Sequence, residues 1–205
     1  MELNRNDTLT GICNSALALV GHADFITDID EDTSTANTLR MVLVQACREV
    51  QTHESGVWEE LEKEVALVRK GELSGGMYEW NLPTDMISIV SCFKEADGCE
   101  GKTRVRVPYQ IVGGMLRCKE EKGVCVRFIR FSLEPSEWST ELKTCIIKLL
   151  SARILSALAK DYAGAQRMEQ NFWAAEFLYW AGNHKKKSFR SDGVGNDQAL
   201  TQFYY

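Results

Sequence analysis

Only three prolines and three histidines occur in the 205 residues. So few prolines leave long stretches without the ring clash and missing N–H that break a helix, which favours long uninterrupted helices. His22, His53 and His184 lie near predicted helix ends among polar neighbours. Capping accounts for them there, and no spacing supports metal ligation. No run of about 18 apolar residues exists, so no transmembrane span is expected. The opening residues, MELNRNDTLTG, contain no apolar signal-peptide core, and folding in a cytosol is expected. Positive charge is not in excess: 24 Lys and Arg face 29 Asp and Glu, a net charge of −5. That removes the basic footprint of a free nucleic-acid-binding monomer. An acidic chain can still surround DNA without gripping it.

Chemical motifs are missing too. There is no Walker loop, no dinucleotide fingerprint and no HExxH. Gly193-Val194-Gly195-Asn196 follows no predicted strand. A Ser/His/Asp or Cys/His group would meet only in the fold, and nothing in the sequence supports one. The acidic run Asp28–Asp32 lacks the spacing and the closing Glu of a calcium loop, so helix capping explains it more simply. No catalytic residue, cofactor or metal is therefore assigned, and enzyme activity is not expected. Cysteine is the exception to this scarcity, with seven. In a reducing cytosol the default is a free, mostly buried thiol. Cys13, Cys47 and Cys145 fall at or beside apolar positions of predicted helices. Cys92 with Cys99 and Cys118 with Cys125 make two pairs, each with six residues between members. Zinc pairs normally leave about two to four, so buried strand positions are the simpler reading of these four.

At this length, with 44% apolar residues, the chain suits one domain or one domain with a small appendage. Leu9, Ile12, Cys13, Ala16, Leu19 and Val20 make one helical stripe, stopped by Gly21. Asp28–Ser34 is a polar turn rich in N-cap candidates. A second helix follows, with Ala36, Leu39, Leu43, Ala46 and Val50 on one face. Residues 54–70 read as a third, striped by Trp58, Leu61, Val65 and Val68, with Ser55-Gly56 as a kink. Gly71, Gly75 and Gly76 then mark a loop. Strands are expected at 77–82, 86–90, near Val105 and Val107, and as a hairpin of 115–118 with 124–131. Residues 138–163 form the strongest helix, apolar on more than one face, and Gly164 breaks it. A last helix, 165–183, carries two stripes. One is Met168, Phe172, Ala175 and Tyr179; the other is Trp173, Phe177 and Trp180.

The expected fold is mainly α: an antiparallel helical bundle of about four or five members with a central strand-rich, β-hairpin insertion and an extended C-terminal tail. Residues 1–70 supply the N-terminal helices and 71–135 the insertion. Residues 136–187 supply the C-terminal helices of the same bundle, and 188–205 the tail.

The order of features resembles the bacteriophage head-to-tail adaptor proteins, the tail tubular protein A or gatekeeper-like connector family. The N-terminal match rests on Asn14, Leu17, Val20, Gly21, Asp30, Ala36, Arg40 and Trp58. Pro83, Asp85 and Met86–Val90 match the turn before a strand. Ala152, Arg153, Ile154, Leu158 and Ala159 match a later helix. The likeness spans about residues 4–185, and it departs at the cysteine-bearing middle and at Lys185–Lys187. It implies a structural protein of the virion neck, forming a dodecameric ring beneath the portal and joining head to tail around the DNA channel. The implied partners are the portal protein, other copies of the chain, a tail or nozzle protein, and genomic DNA passing without sequence recognition. No membrane partner is implied.

Two sets of contact residues follow. One apolar stripe suffices to bury a helix, so a second rich in aromatics suits an interface between protomers: Trp173, Phe177 and Trp180. The tail has no periodicity and cannot build a core of its own. Its aromatic ends suit portal docking, through Phe189, Arg190, Phe203, Tyr204 and Tyr205. The alternative class is a cytosolic helical nucleic-acid-binding or regulatory module with a four-cysteine zinc site.

Overall fold

The computed structural model describes residues 8–53, 56, 58–98 and 101–183. Each helix starts where a short polar side chain meets free backbone amides. The Thr8 hydroxyl accepts from the Gly11 amide to open α1 (Leu9–Leu19). Thr33 does the same for Ala36 at α2 (Ser34–Thr52), Ser139 for Leu142 at α3 (Thr140–Ala157), and Asp161 for Gly164 at α4 (Tyr162–Asn171). Gly21, at φ +69°, lets the chain leave α1 in the left-handed conformation that glycine adopts without strain.

α3 is the hub, with α1, α2 and α4 all packing on it. That is why it is apolar on more than one face, as the sequence predicts. Ser151 is small enough for close approach, and its buried hydroxyl contacts the carbonyls of Ile147 and Ala16, the latter on α1. Helices from both ends of the chain share one core, in which Leu17, Leu39, Leu142, Ile146, Leu149 and Phe177 are fully enclosed.

The remainder is two four-stranded antiparallel sheets. β1 (Glu62–Ala66), β8 (Val124–Arg130), β4 (Met86–Gly98) and β5 (Gly101–Arg106) form the first, in that order. β2 (Val68–Leu73), β3 (Met77–Asn81), β7 (Met115–Cys118) and β6 (Gln110–Val112) form the second. The chain crosses between sheets at Leu67 and Val107, both buried, whose amides bond the carbonyls of Val124 and Cys92. A second core lies between the sheets, centred on Trp80, Cys92, Leu116, Val126 and Phe128. The three prolines stand outside the ladders: Pro83 opens the turn before β4, Pro108 separates β5 from β6, and Pro135 begins a short 3-10 turn.

The expectation of a mainly α fold is therefore corrected to four helices beside two full antiparallel sheets. The largest single change is at residues 54–70, expected as a helix. Trp58 and Leu61 are buried in the helical core, but 59–61 is one 3-10 turn, and β1 and β2 follow. Trp58 Nε1 donates to the Val50 carbonyl at 3.1 Å, which folds the chain back over the end of α2. From there β1 pairs with β8, from Glu62 opposite Ile129 to Ala66 opposite Cys125. A smaller change concerns the break after α3. It falls at residues 158–161, with Lys160 at φ +56°, and Gly164 sits buried inside α4.

Candidate functional site

The two cores meet where α2 ends and β8 runs into residues 131–139. Gln51 is buried there and holds Ser132 twice: its Nε2 donates to the Ser132 carbonyl at 2.8 Å, and its Oε1 accepts from the Ser132 amide at 3.0 Å. Beside this clasp lies a cleft of about 750 Å³. Ile129, Phe131, Met86 and Ile87 give it an apolar lining, and Arg48, His53, Asp85 and Ser88 contribute polar groups. The Arg48 guanidinium stands over the Phe131 ring at 5.2 Å, an attraction between the cation and the ring face. These residues come from three separate stretches of chain, so no local pattern could announce the cleft.

His53 also belongs to the aromatic cluster around the last helix. Its ring stacks on Trp173 at 4.9 Å and tilts against Phe177 at 4.5 Å. Phe177 meets Trp58 edge-on at 6.3 Å. The helix that begins as α4 passes through one π turn, Phe172–Glu176, and is α-helical again over 177–183. That turn decides where the two predicted stripes point. Phe172 of the first stripe is buried, yet Ala175 and Tyr179 are exposed. Of the protomer-interface candidates, Phe177 is 0% exposed within its own chain, while Trp173 and Trp180 are half-buried against the same core. The large apolar side chains left outside among the described residues of this helix are Leu178 and Tyr179, with Tyr162 at the start of α4.

Three of the residues that carry the sequence resemblance, Asn14, Arg40 and Arg153, act as ties. Asn14 clasps Ile26, donating to its carbonyl at 2.8 Å and accepting from its amide at 3.0 Å. Arg40 donates to the Ile29 carbonyl at 3.0 Å and lies 3.8 Å from Asp30. Arg153 on α3 reaches Glu49 on α2 and Glu169 on α4, each at 2.7 Å. The acidic turn between α1 and α2 is held from within. Glu31 accepts from the Thr27 hydroxyl and amide, the Thr33 hydroxyl and the Asp28 amide, which together lower its carboxyl to about 2.

Among the described residues, no group of three or more His, Cys, Asp or Glu is placed to hold a metal ion. Cys92 and Cys118 are buried between the sheets, whereas Cys125 is half-exposed. Cys92 pairs with Val126 and Phe93 with Cys125, so Cys92 and Cys125 point to opposite faces of their sheet. Cys99 lies outside the described residues. Burial pushes the Cys92 thiol up to about 12, with a smaller push from Cys118 and Cys125. Burial also takes Cys13 and Cys145 up to about 12, and it raises Cys47 and Cys118. Such thiols stay protonated and are poor nucleophiles and ligands.

The outer face of the first sheet carries a ladder of charge. Arg127 reaches Glu62 at 3.1 Å and Glu64 at 3.7 Å, and Arg104 reaches Glu64 at 2.8 Å. Desolvation raises the Glu62 carboxyl although Arg127 pulls it down. Two of the arginines there, Arg104 and Arg127, are matched by carboxylates. The portal-docking candidates Phe189, Arg190, Phe203, Tyr204 and Tyr205, with His184 and Lys185–Lys187, lie outside the described residues. No helix among the described residues is long and apolar enough to cross a membrane. No protein-family model matches the chain, and no curated protein matches it.

Proposed function

We propose that this chain is a non-enzymatic structural adaptor of a bacteriophage neck. Copies pack side by side in a ring, a dodecamer by the sequence resemblance, beneath the portal protein. The ring links head to tail around the DNA channel and offers its far end to a tail or nozzle protein. Lateral packing of this kind is heterologous: one face of a copy meets a different face of the next, and the rotation closes. Genomic DNA passes through the lumen without base readout, which agrees with a net charge of −5. In the virion the residues from Phe189 to Tyr205 attach to the portal.

One observation carries the reading. Four of the positions that match the adaptor pattern hold joints of the helical part. Asn14 and Arg40 fix the turn between α1 and α2, Trp58 folds the chain over the end of α2, and Arg153 joins three helices. Residues that tie joints support the reading better than apolar spacing, which many helices share.

The test is native mass spectrometry of the full chain, alone and mixed with portal rings from the phage that encodes it. The adaptor reading expects assembly into ring-sized species and a stoichiometric complex with the portal. A chain that stays monomeric in both mixtures contradicts it.

A further inference from the structure

Every residue from Lys63 to Ala66 on β1 is exposed, and so is every residue from Thr103 to Arg106 on β5. Exposure on both faces of a strand goes with an open edge. These are the outer strands of the first sheet: β1 pairs with β8 alone and β5 with β4 alone. The two edges differ in charge. Residues 59–64 hold four glutamates and one lysine, whereas residues 103–106 hold two arginines and no acid. Glu62 and Glu64 share the outer face of the sheet with Arg104 and Arg106. Glu64 stands opposite Arg127, and Arg106 opposite Phe93, itself opposite Cys125. Val65 and Val105, 39% and 53% exposed, lie on the other face. Arg104 reaches Glu64 of its own chain at 2.8 Å. Arg106 makes no ion pair among the described residues.

We propose that a second copy of the chain adds its β1 to β5, so that the first sheet continues from one copy into the next. β1 runs antiparallel to β8, β8 to β4 and β4 to β5, so β1 and β5 point in opposite directions. A neighbour that keeps the orientation of the first copy therefore meets β5 antiparallel, outer face beside outer face. In the register that sets Glu62 of the next copy opposite Arg106, Glu64 of the next copy stands opposite Arg104. Val65 of the next copy then stands opposite Thr103, on the same face as Val105. Main-chain hydrogen bonds hold such an added strand, and opposite charges facing across it add to them.

Charge on an edge strand ordinarily keeps sheets apart. Here it keeps like edges apart, β1 from β1 and β5 from β5, and leaves the unlike pairing open. Each such contact uses one edge of each copy and leaves the other edge free, so copies add head to tail until the rotation closes. The lateral contact then lies on the sheet and not on the last helix, whose Phe177 is already enclosed in its own chain. Edge pairing stands on the two edges alone; only closure into a ring beneath a portal rests on the adaptor reading.

The test uses two full-length variants, Arg106→Glu and Glu62→Lys, each alone and the two mixed, followed by sedimentation velocity. A lysine at 62 keeps Glu59 and Glu64 as neighbours, the carboxylates that help raise Glu62, and Arg127 keeps Glu64. The parent should self-associate, and less so as salt rises. Each variant alone sets like charges across the contact, so its association should weaken by at least about tenfold. An equal mixture in alternating order restores opposite charges at every contact, and association should return to within about threefold of the parent. A parent that stays monomeric overturns the proposal, and so does a mixture that associates no better than its parts. Independently of those folds, Val65→Cys on one copy and Thr103→Cys on another should join under a mild oxidant, in a disulfide located by peptide mass. No 65–103 link in that mixture contradicts the register. Rings that form whatever the charges at 62 and 106 would contradict edge pairing and leave the adaptor reading intact. Charge-dependent assemblies that never join portal rings would support edge pairing and contradict the adaptor reading alone.

Discussion

Among the described residues, 25 buried apolar side chains close the core around the helices, one of them Ile129 of β8, whereas nine close the core between the sheets. The first core is drawn from both ends of the chain and wraps α3 on several sides. The second is a thin layer, and strands at its margins bury almost nothing: β1 has no fully buried residue and β6 is exposed throughout. Burial of apolar area is the main favourable term in folding, so the two parts should differ in how readily they open. The helical core is the frame, and the sheet pair is a less stable addition set into it.

The largest expected effect separates the parts directly. Leu149 on α3 and Leu116 on β7 are both 0% exposed. Leu149→Ala should cost about 2–5 kcal/mol of global stability, the range for emptying a core leucine site. Leu116→Ala removes the same atoms, but its loss should appear as faster hydrogen exchange confined to 62–130, with the helices still protected. If both variants speed exchange everywhere alike, the chain is one cooperative unit and the contrast fails.

A smaller effect is expected at the joint. Gln51→Ala leaves the Ser132 amide and carbonyl without their partners, at about 1–3 kcal/mol for each buried group left unpaired. The clasp joins the parts, so chemical denaturation of this variant should show two transitions where the parent shows one. A single sharp transition, merely shifted, would place the coupling elsewhere.

How much of this was legible in the sequence follows from where each element finds its partners. α2 and α3 show in the spacing because each buries a continuous stripe: Leu39, Leu43, Ala46 and Val50 are as buried as their pattern demands, whereas in α1 Ile12, Cys13 and Ala16 are buried and Leu19 of the expected stripe is 59% exposed. β1 and β2 do not show. Their burial comes from neither face, so there is no alternation to read, and Trp58, Leu61, Val65 and Val68 imitate a helical stripe instead. In the structure Val65 is 39% and Val68 70% exposed. The last helix shows two stripes in its spacing, but its buried side takes Phe172 from one and Phe177 from the other, because the π turn at Phe172–Glu176 sets an extra residue between them. The cleft by Gln51 was illegible because its lining comes from three separate stretches of chain. The ties at Asn14, Arg40 and Trp58 were visible as a pattern, and their work as clasps needed the fold.

The smallest effect concerns pH. The Glu31 carboxyl is lowered to about 2, chiefly by the Thr27 hydroxyl and amide. A depressed carboxyl supports the fold when ionised, so its contribution is present above the ordinary value near 4.5 and is lost as pH falls from there toward 2. The Thr27 and Asp28 amide signals should therefore move together with a midpoint near 2 in an NMR titration. A midpoint near 4.5 would show the turn to be unconstrained.

The buried thiols offer the most direct test of frame against addition, because both cores contain them. Cys13, Cys47 and Cys145 lie in the helical core, and Cys92 and Cys118 between the sheets. Burial keeps all five protonated and enclosed, so each reacts only when its surroundings open. Native-state alkylation at pH 8, followed site by site by mass spectrometry, reads those openings. The account predicts that Cys92 and Cys118 are modified at least about tenfold faster than Cys13, Cys47 and Cys145. Equal rates at all five, or faster reaction in the helical core, would contradict it.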